Sequence, residues 1–311
     1  MPLREMLPVG RGCAQWRAWG TVARIVVTEP SALDRATGIV RAEMAAVDAA
    51  CSRFRTDSET ARLAVAGGRP VRVSPLLRDL VDAALCAAEA TNGDVDPTLG
   101  RALCALGYDR DFAGISVVDG RHRVTAVTPV SWRDIVLDDD LLTIPAGCEL
   151  DLGATAKAWT ADRCAARIAA ECGCGVLVAL GGDIATAGAA SLGWEILISD
   201  GPDEPAETVV LPDGAALATS STISRSWRRS ERTVHHILDP RTSQPAPRVW
   251  RTASAAAFSC LRANALSTAA VVRGAAAVGW LHQVGAPARL VAADRSVLHL
   301  AGWPSASEAA A

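Results

Sequence analysis

Residues 149–184, ELDLGATAKAWTADRCAARIAAECGCGVLVALGGDI, place the tightest limit on the fold. They read as a turn, a helix, a short Gly/Cys break, the apolar strand VLVAL and a second glycine turn. A doubly wound dinucleotide fold sets G-x-G-x-x-G between its first strand and the helix that follows. DLGATAKA lacks that spacing, and the glycine pair here comes after a strand. The stretch carries Asp151 ahead of the helix, Lys157 in its first turns and Asp183 after the glycines. A helix N-terminus presents unbonded N–H groups and partial positive charge, to which Lys157 adds a full one. A phosphorylated ligand suits that end, with a cation or a ribose or base edge taking Asp151. A capping Asp151 beside a solvated Lys157 is the structural alternative.

Around this stretch helices and strands interleave, and the strands often come as hairpin pairs. WGTVARIVVT (19–28) reads as a strand after a tight turn at Gly20, and Ser31 as the N-cap of a helix with one apolar face through Val40, Met44 and Val47. Thr56-Asp57-Ser58-Glu59 reads as a polar loop and the N-cap of a short helix. Ser74-Pro75 opens a longer one that stops at Asn92-Gly93. The loop Asp94-Val95-Asp96-Pro97-Thr98 follows at once. ISVVDG with RHRVTAV predicts one hairpin and DIVLDDDLLTI another with an acidic turn. WEILISD, ETVVLP and AALATSS predict further strands. Ser259 to Arg273 reads as a helix that projects Asn264 and Thr268 from one face. The pattern predicts an α+β fold with mixed or antiparallel sheets in two lobes.

Composition excludes several classes of function. A net charge of −3 over 311 residues argues against a broad nucleic-acid footprint. No apolar run reaches membrane-spanning length, so no membrane segment is expected. Arg4, Arg11 and Arg17 break up any signal-peptide core, which gives the expectation of a cytoplasmic protein. The nine cysteines are odd in number and without paired spacing, which suits reduced thiols.

The remaining chemistry is spread thinly. Asn264 and Thr268 offer two oxygens to a hard cation, or pack one helix on another. His236, at a strand end, is a proton-transfer group or a structural histidine. Arg241, in the Asp239-Pro240-Arg241-Thr242 turn, faces an anion or only closes the turn. Taken in order, however, the motifs are specific. They are S-R-F-x-x-D-S-E-x-x-R-L from Ser52, G-D-V-D-P-T-L-G from Gly93, D-L-G-A-T-A-K-A from Asp151, A-L-G-G-D-I from Ala179, A-T-S-S from Ala218, H-I-L-D-P-R-T from His236 and A-N-A-L-S-T-A from Ala263. In this order the chain resembles the ApbE family of FAD:protein FMN transferases, from about Trp19 to Gly302.

The resemblance implies a two-lobed, T-fold-like domain over 19–303, with an extension at 1–18, a frayed tail at 304–311 and a ligand cleft between the lobes. It implies Mg²⁺-dependent transfer of FMN from FAD to a Thr/Ser hydroxyl of an acceptor flavoprotein, with release of AMP. Carried over by motif, Trp19, Phe54, Asp94, Val95, Asp96, Asp151, Lys157 and Ile237 would contact FAD. Ala154 through its carbonyl, with Asn264 and Thr268, would hold the metal, and His236 would transfer the proton. The sequence departs from the family's pattern in three places. Asn264 replaces an Asp of the metal site. D-L-G-A-T-A-K-A replaces D-L-G-G-I-A-K-G. Trp19 replaces a Met. Loss of the carboxylate at 264 weakens a magnesium site. A non-catalytic FAD-binding relative and an FAD pyrophosphatase giving FMN and AMP are therefore the alternatives to transfer.

Overall fold

The computed structural model describes residues 11–112, 130–229 and 232–304. The hairpin expected near 115–126 and the tail from 305 lie outside the described residues. The chain forms two compact units. The first contains the residues up to Glu43, Lys157–Ser224 and Pro247 onward; the second contains Met44–Ala156 and Arg225–Ala246.

The first unit is built on one antiparallel sheet of eight strands: β1 (Cys13–Ala18), β2 (Thr21–Val27), β3 (Val176–Leu180), β4 (Asp183–Ala187), β5 (Ala216–Ser221), β6 (Trp250–Ala257), β7 (Ala288–Ala292) and β8 (Val297–Leu300). They lie side by side in chain order. β3 is VLVAL, and all five of its residues are buried, as a central strand covered on both faces requires. On one face Leu177 and Ala179 join Ile184, Leu217 and Ala256 in a core with the hairpin Trp194–Ile198/Glu207–Leu211. Burying each such Leu or Ile stabilises the unit by about 1.5–3 kcal/mol.

The helix α6 (Cys260–Arg273; helices are numbered in chain order over the whole molecule) packs on β5 and β6. Its alanines 263, 269 and 270 are fully buried and let it lie close to the sheet. α5 (Ala156–Cys172) leads into β3. Its Asp162 accepts bonds from the Cys260 and Leu261 amides at 2.7 and 3.0 Å, while Ser259 caps the same end through the Arg262 amide. These caps hold the first turn of α6 and so set which of its side chains face the sheet.

Helices dominate the second unit: α2 (Glu59–Val65), α3 (Pro75–Ala90), α4 (Gly100–Ala105) and the part of α1 (Leu33–Cys51) from Met44 on. A three-stranded sheet joins Val71–Arg72, Leu141–Thr143 and Val136–Asp138, the last two being the predicted acidic hairpin. Ser58 and Ser74 cap α2 and α3 through the Ala61 and Leu77 amides. Asn92 and Gly93, both at positive φ, end α3. A separate core gathers Ala102, Leu103, Leu106, Tyr108, Trp227 and Leu238.

Two local expectations change. Ser31 sits inside a 3₁₀ turn at Pro30–Ala32 and caps nothing, because Pro30 fixes its own φ and starts the turn a residue early. The N-terminal hairpin also begins before Trp19. β1 pairs with β2 through a turn in which Trp19 and Gly20 both take positive φ. Arg17 and Gln15 on this half-exposed edge strand hide its alternation from a hydropathy reading.

Candidate active site

The glycine turn between β3 and β4 builds the first cluster. Leu180 pairs with Asp183, so Gly181 and Gly182 alone span the turn. Gly181 has φ 71°, and a Cβ there would stand 2.6 Å from Thr21 Oγ1, so only glycine fits. This turn leaves Asp183 at the end of a buried strand with its carboxylate almost wholly enclosed. Lys157, the second residue of α5, donates from Nζ to Asp183 Oδ2 at 3.0 Å. Asn264 donates from Nδ2 to Asp183 Oδ1 at 2.7 Å. Its own Oδ1 accepts from Thr268 Oγ1 at 3.4 Å. Ser220 on β5 closes the network, with its hydroxyl 2.9 Å from those of Ser267 and Thr268.

Asn264, Ser267, Thr268 and Ser220 are all buried. The i, i+4 spacing therefore does put Asn264 and Thr268 on one face, and that face points at the sheet. Cys260, one turn earlier, has its thiol pushed well above the ordinary range by burial and by the charges of Asp183 and Asp162, and it remains protonated.

The second unit holds a different cluster. Asp151 Oδ1 accepts from the Gly153 amide at 2.8 Å, a local turn five residues ahead of α5. Oδ2 accepts from Arg53 Nε at 2.8 Å. Arg53 is 4% exposed and also donates to the Tyr108 carbonyl at 2.7 Å. Its Nη2 is buried with no partner among the described residues. The guanidinium lies over Phe54 and Tyr108, 4.7 and 5.3 Å from the ring centroids. Phe54 is 40% exposed on top of this stack, an open apolar face suited to a planar ring.

The loop after α3 is tied to the Asp151 turn. The Asp151 amide donates to Pro97 O at 2.8 Å, and Gly100 packs so closely that a Cβ would lie 2.5 Å from Glu149 O. In that loop Val95 is buried. Asp94 lies 3.7 Å from Arg241, which also bonds Asp239 at 2.8 Å. Asp96 accepts from the Thr98 amide and hydroxyl at 2.8 and 2.7 Å. Burial still raises its carboxyl above the usual aspartate range.

Comparisons with known proteins give the chain its family and fold. A model of the ApbE family matches residues 19–289. The chain belongs to the ApbE family. An FAD:protein FMN transferase of Treponema pallidum (strain Nichols) is 32% identical over 246 residues, 72% of this chain and 67% of that protein. One from Klebsiella pneumoniae (strain 342) is 29% identical over 61% of this chain and 60% of that protein, so the chain spans about two thirds or less of these relatives' length. The ApbE protein of Thermotoga maritima has the same fold, with a TM-score of 0.81 at 24% identity over 98% of both chains. The apo flavinyl transferase ApbE of Pseudomonas stutzeri gives 0.79 at 22% identity, covering 99% of this chain and 96% of that one.

Within this ApbE chain the other expected residues take distinct places. Trp19 sits in the β1–β2 turn, at the same end of the sheet as the Gly181–Gly182 turn, where the Gly181 amide bonds Val22 O. Ala154 lies in the turn just ahead of α5. Ile237 is buried, and its carbonyl accepts from the Ala246 amide. His236 is half-buried, whereas its neighbour His235 is enclosed and holds Ala246 O at 2.9 Å. Sequence reasoning left Arg53, Asp183, Tyr108 and Ser220 out of the site. Arg53, Asp183 and Ser220 stood inside quoted motifs, S-R-F, L-G-G-D and A-T-S-S, so the available signal was the motif itself.

Proposed function

We propose that this chain is an FAD:protein FMN transferase, moving FMN from FAD to a Thr/Ser hydroxyl of an acceptor flavoprotein and releasing AMP. One observation carries it: the family's separated motifs, D-L-G-x-x-A-K, L-G-G-D and A-N-A-L-S-T-A, converge on one buried, hydrogen-bonded cluster around Asp183. Phe54 would stack on the flavin, and Asp94, Val95, Asp96, Asp151, Ile237 and Trp19 would line its binding. Lys157 would set positive charge near the pyrophosphate.

These donors are of the hard-oxygen kind a magnesium ion takes. Asn264 Oδ1 and Thr268 Oγ1 are hard oxygens already in contact, with Asp183 beside them. An ion bound there would neutralise charge on the pyrophosphate. The acceptor oxygen forms a bond to the FMN-side phosphorus as the P–O–P bond breaks toward AMP. His236 takes the hydroxyl proton, since a hydroxyl is a weak nucleophile at its own pKa.

The test incubates the protein with FAD and Mg²⁺, with and without a flavodomain carrying an acceptor threonine, and follows AMP and covalent flavin fluorescence. Labelled acceptor with matching AMP is expected. AMP and free FMN without labelling would replace transfer by hydrolysis, and absence of both would leave an FAD-binding relative. His236→Ala should lower kcat about 10²–10⁴-fold while leaving FAD affinity unchanged; equal losses of both would remove the histidine's role.

A further inference from the structure

The cluster around Asp183 is closed without a divalent cation. Its acid, Asp183, is matched by the cation Lys157 at 3.0 Å, and the neighbouring Asp162 is taken up by the Cys260 and Leu261 amides at the start of α6. Each carboxylate oxygen already has a donor, Lys157 Nζ on Oδ2 and Asn264 Nδ2 on Oδ1. The oxygens left to face a metal, Asn264 Oδ1 and Thr268 Oγ1, are neutral and bonded to each other or to Ser220. A divalent cation entering this set alone meets carboxylates already taken by donors and an ammonium close by.

Position 264 decides this balance. The Asn264 amide stands 2.7 Å from Asp183. An aspartate there would bring a second carboxylate against the first, a repulsion that a proton or a cation relieves. With aspartate the site calls for a metal; with asparagine the same atoms are joined by a hydrogen bond and need none.

We propose that in this chain the divalent cation and FAD bind as a pair: the dinucleotide's pyrophosphate supplies the negative charge that Asn264 does not. The proposal rests on FAD being the ligand, but not on FMN transfer. It predicts strong positive coupling between metal and dinucleotide, equal in both directions.

The test uses the full chain without acceptor protein. Mn²⁺ binding is read from the EPR signal of the free ion, with and without FAD. FAD binding is read by fluorescence anisotropy in EDTA and in Mn²⁺, with the association of Mn²⁺ and FAD in buffer subtracted. Wild type should bind Mn²⁺ negligibly alone, and each ligand should tighten the other by about 100-fold. Asn264→Asp should bind Mn²⁺ without FAD, cutting the coupling to about 10-fold or less. Saturable Mn²⁺ binding to wild type alone, or coupling near unity, overturns the proposal. The wild-type measurements decide the matter even where Asn264→Asp does not fold. Intact coupling with no labelling of an acceptor would sink the transfer reading alone, and no FAD binding in either medium would sink both.

Discussion

The two clusters handle buried charge in opposite ways. In the first unit Asp183 stands at the end of a central strand, and its partners come from two helices, α5 and α6. All are carried by regular elements, and the hydroxyls of Ser220, Ser267 and Thr268 complete the network. In the second unit the acids Asp94, Asp96 and Asp151 sit on loops. Their balance comes from arginines and turn amides: Arg53 on Asp151, Arg241 near Asp94, the Thr98 amide on Asp96. The strand-mounted set is saturated with hydrogen bonds. The loop-mounted set leaves Arg53 Nη2 without a partner among the described residues, Phe54 exposed and Asp96 raised by burial. A saturated cluster fixes geometry, while an unsaturated one keeps capacity for a ligand.

The largest test of this contrast removes the hub of the first cluster. Asp183→Ala strips the carboxylate from Lys157 and Asn264 and should cost about 3 kcal/mol in urea unfolding, as breaking a buried pair does. Adding Lys157→Met removes the second charge too and should recover about 1–2 kcal/mol of that loss. A single mutant costing no more than an ordinary surface change would show that the cluster is not what holds this end of the sheet. Arg53→Met is the counterpart in the second unit. Asp151 keeps its Gly153 amide and some solvent, so the expected cost is smaller, about 2 kcal/mol. FAD affinity should fall about tenfold as the guanidinium is lost. If Arg53→Met unfolds the protein at a greater cost than Asp183→Ala, the loop cluster is the structural one and the contrast reverses.

What the sequence disclosed follows from how local each feature is. Ser74-Pro75, Asn92-Gly93 and the glycine pair before Asp183 act within a few residues, and each structure matches the expectation. VLVAL was legible as a strand because its apolar run is short and bounded by glycines. The α+β class followed from hairpins such as 136–143. Pairings such as Arg53 with Asp151, 98 residues apart, or Asn264 with Asp183, 81 apart, leave no period to read. The i, i+4 spacing of Asn264 and Thr268 showed that they share a face but not that the amide turns its donor toward an acid. The edge strand β1 was missed because half-exposed strands carry little hydrophobic alternation.

The smallest expected effect tests whether the loop cluster holds charge at a cost. Desolvation raises the Asp96 carboxyl above its ordinary value, and the bonds from Thr98 and the Trp132 amide, with the charge of Arg133, offset this only in part. The protonated form is thus favoured in the fold, and folding takes up a proton. Its contribution to stability is full below the unfolded pKa of about 4 and is lost as pH rises through the higher folded value. Asp96→Asn keeps an oxygen to accept from Thr98 and never ionises. It should therefore be more stable than wild type at neutral pH, with the gain shrinking to nothing as pH falls below about 4. Urea midpoints across that range measure it. A variant that is less stable at neutral pH would mean that the carboxylate is held by net favourable bonds, and the second cluster would then be as saturated as the first.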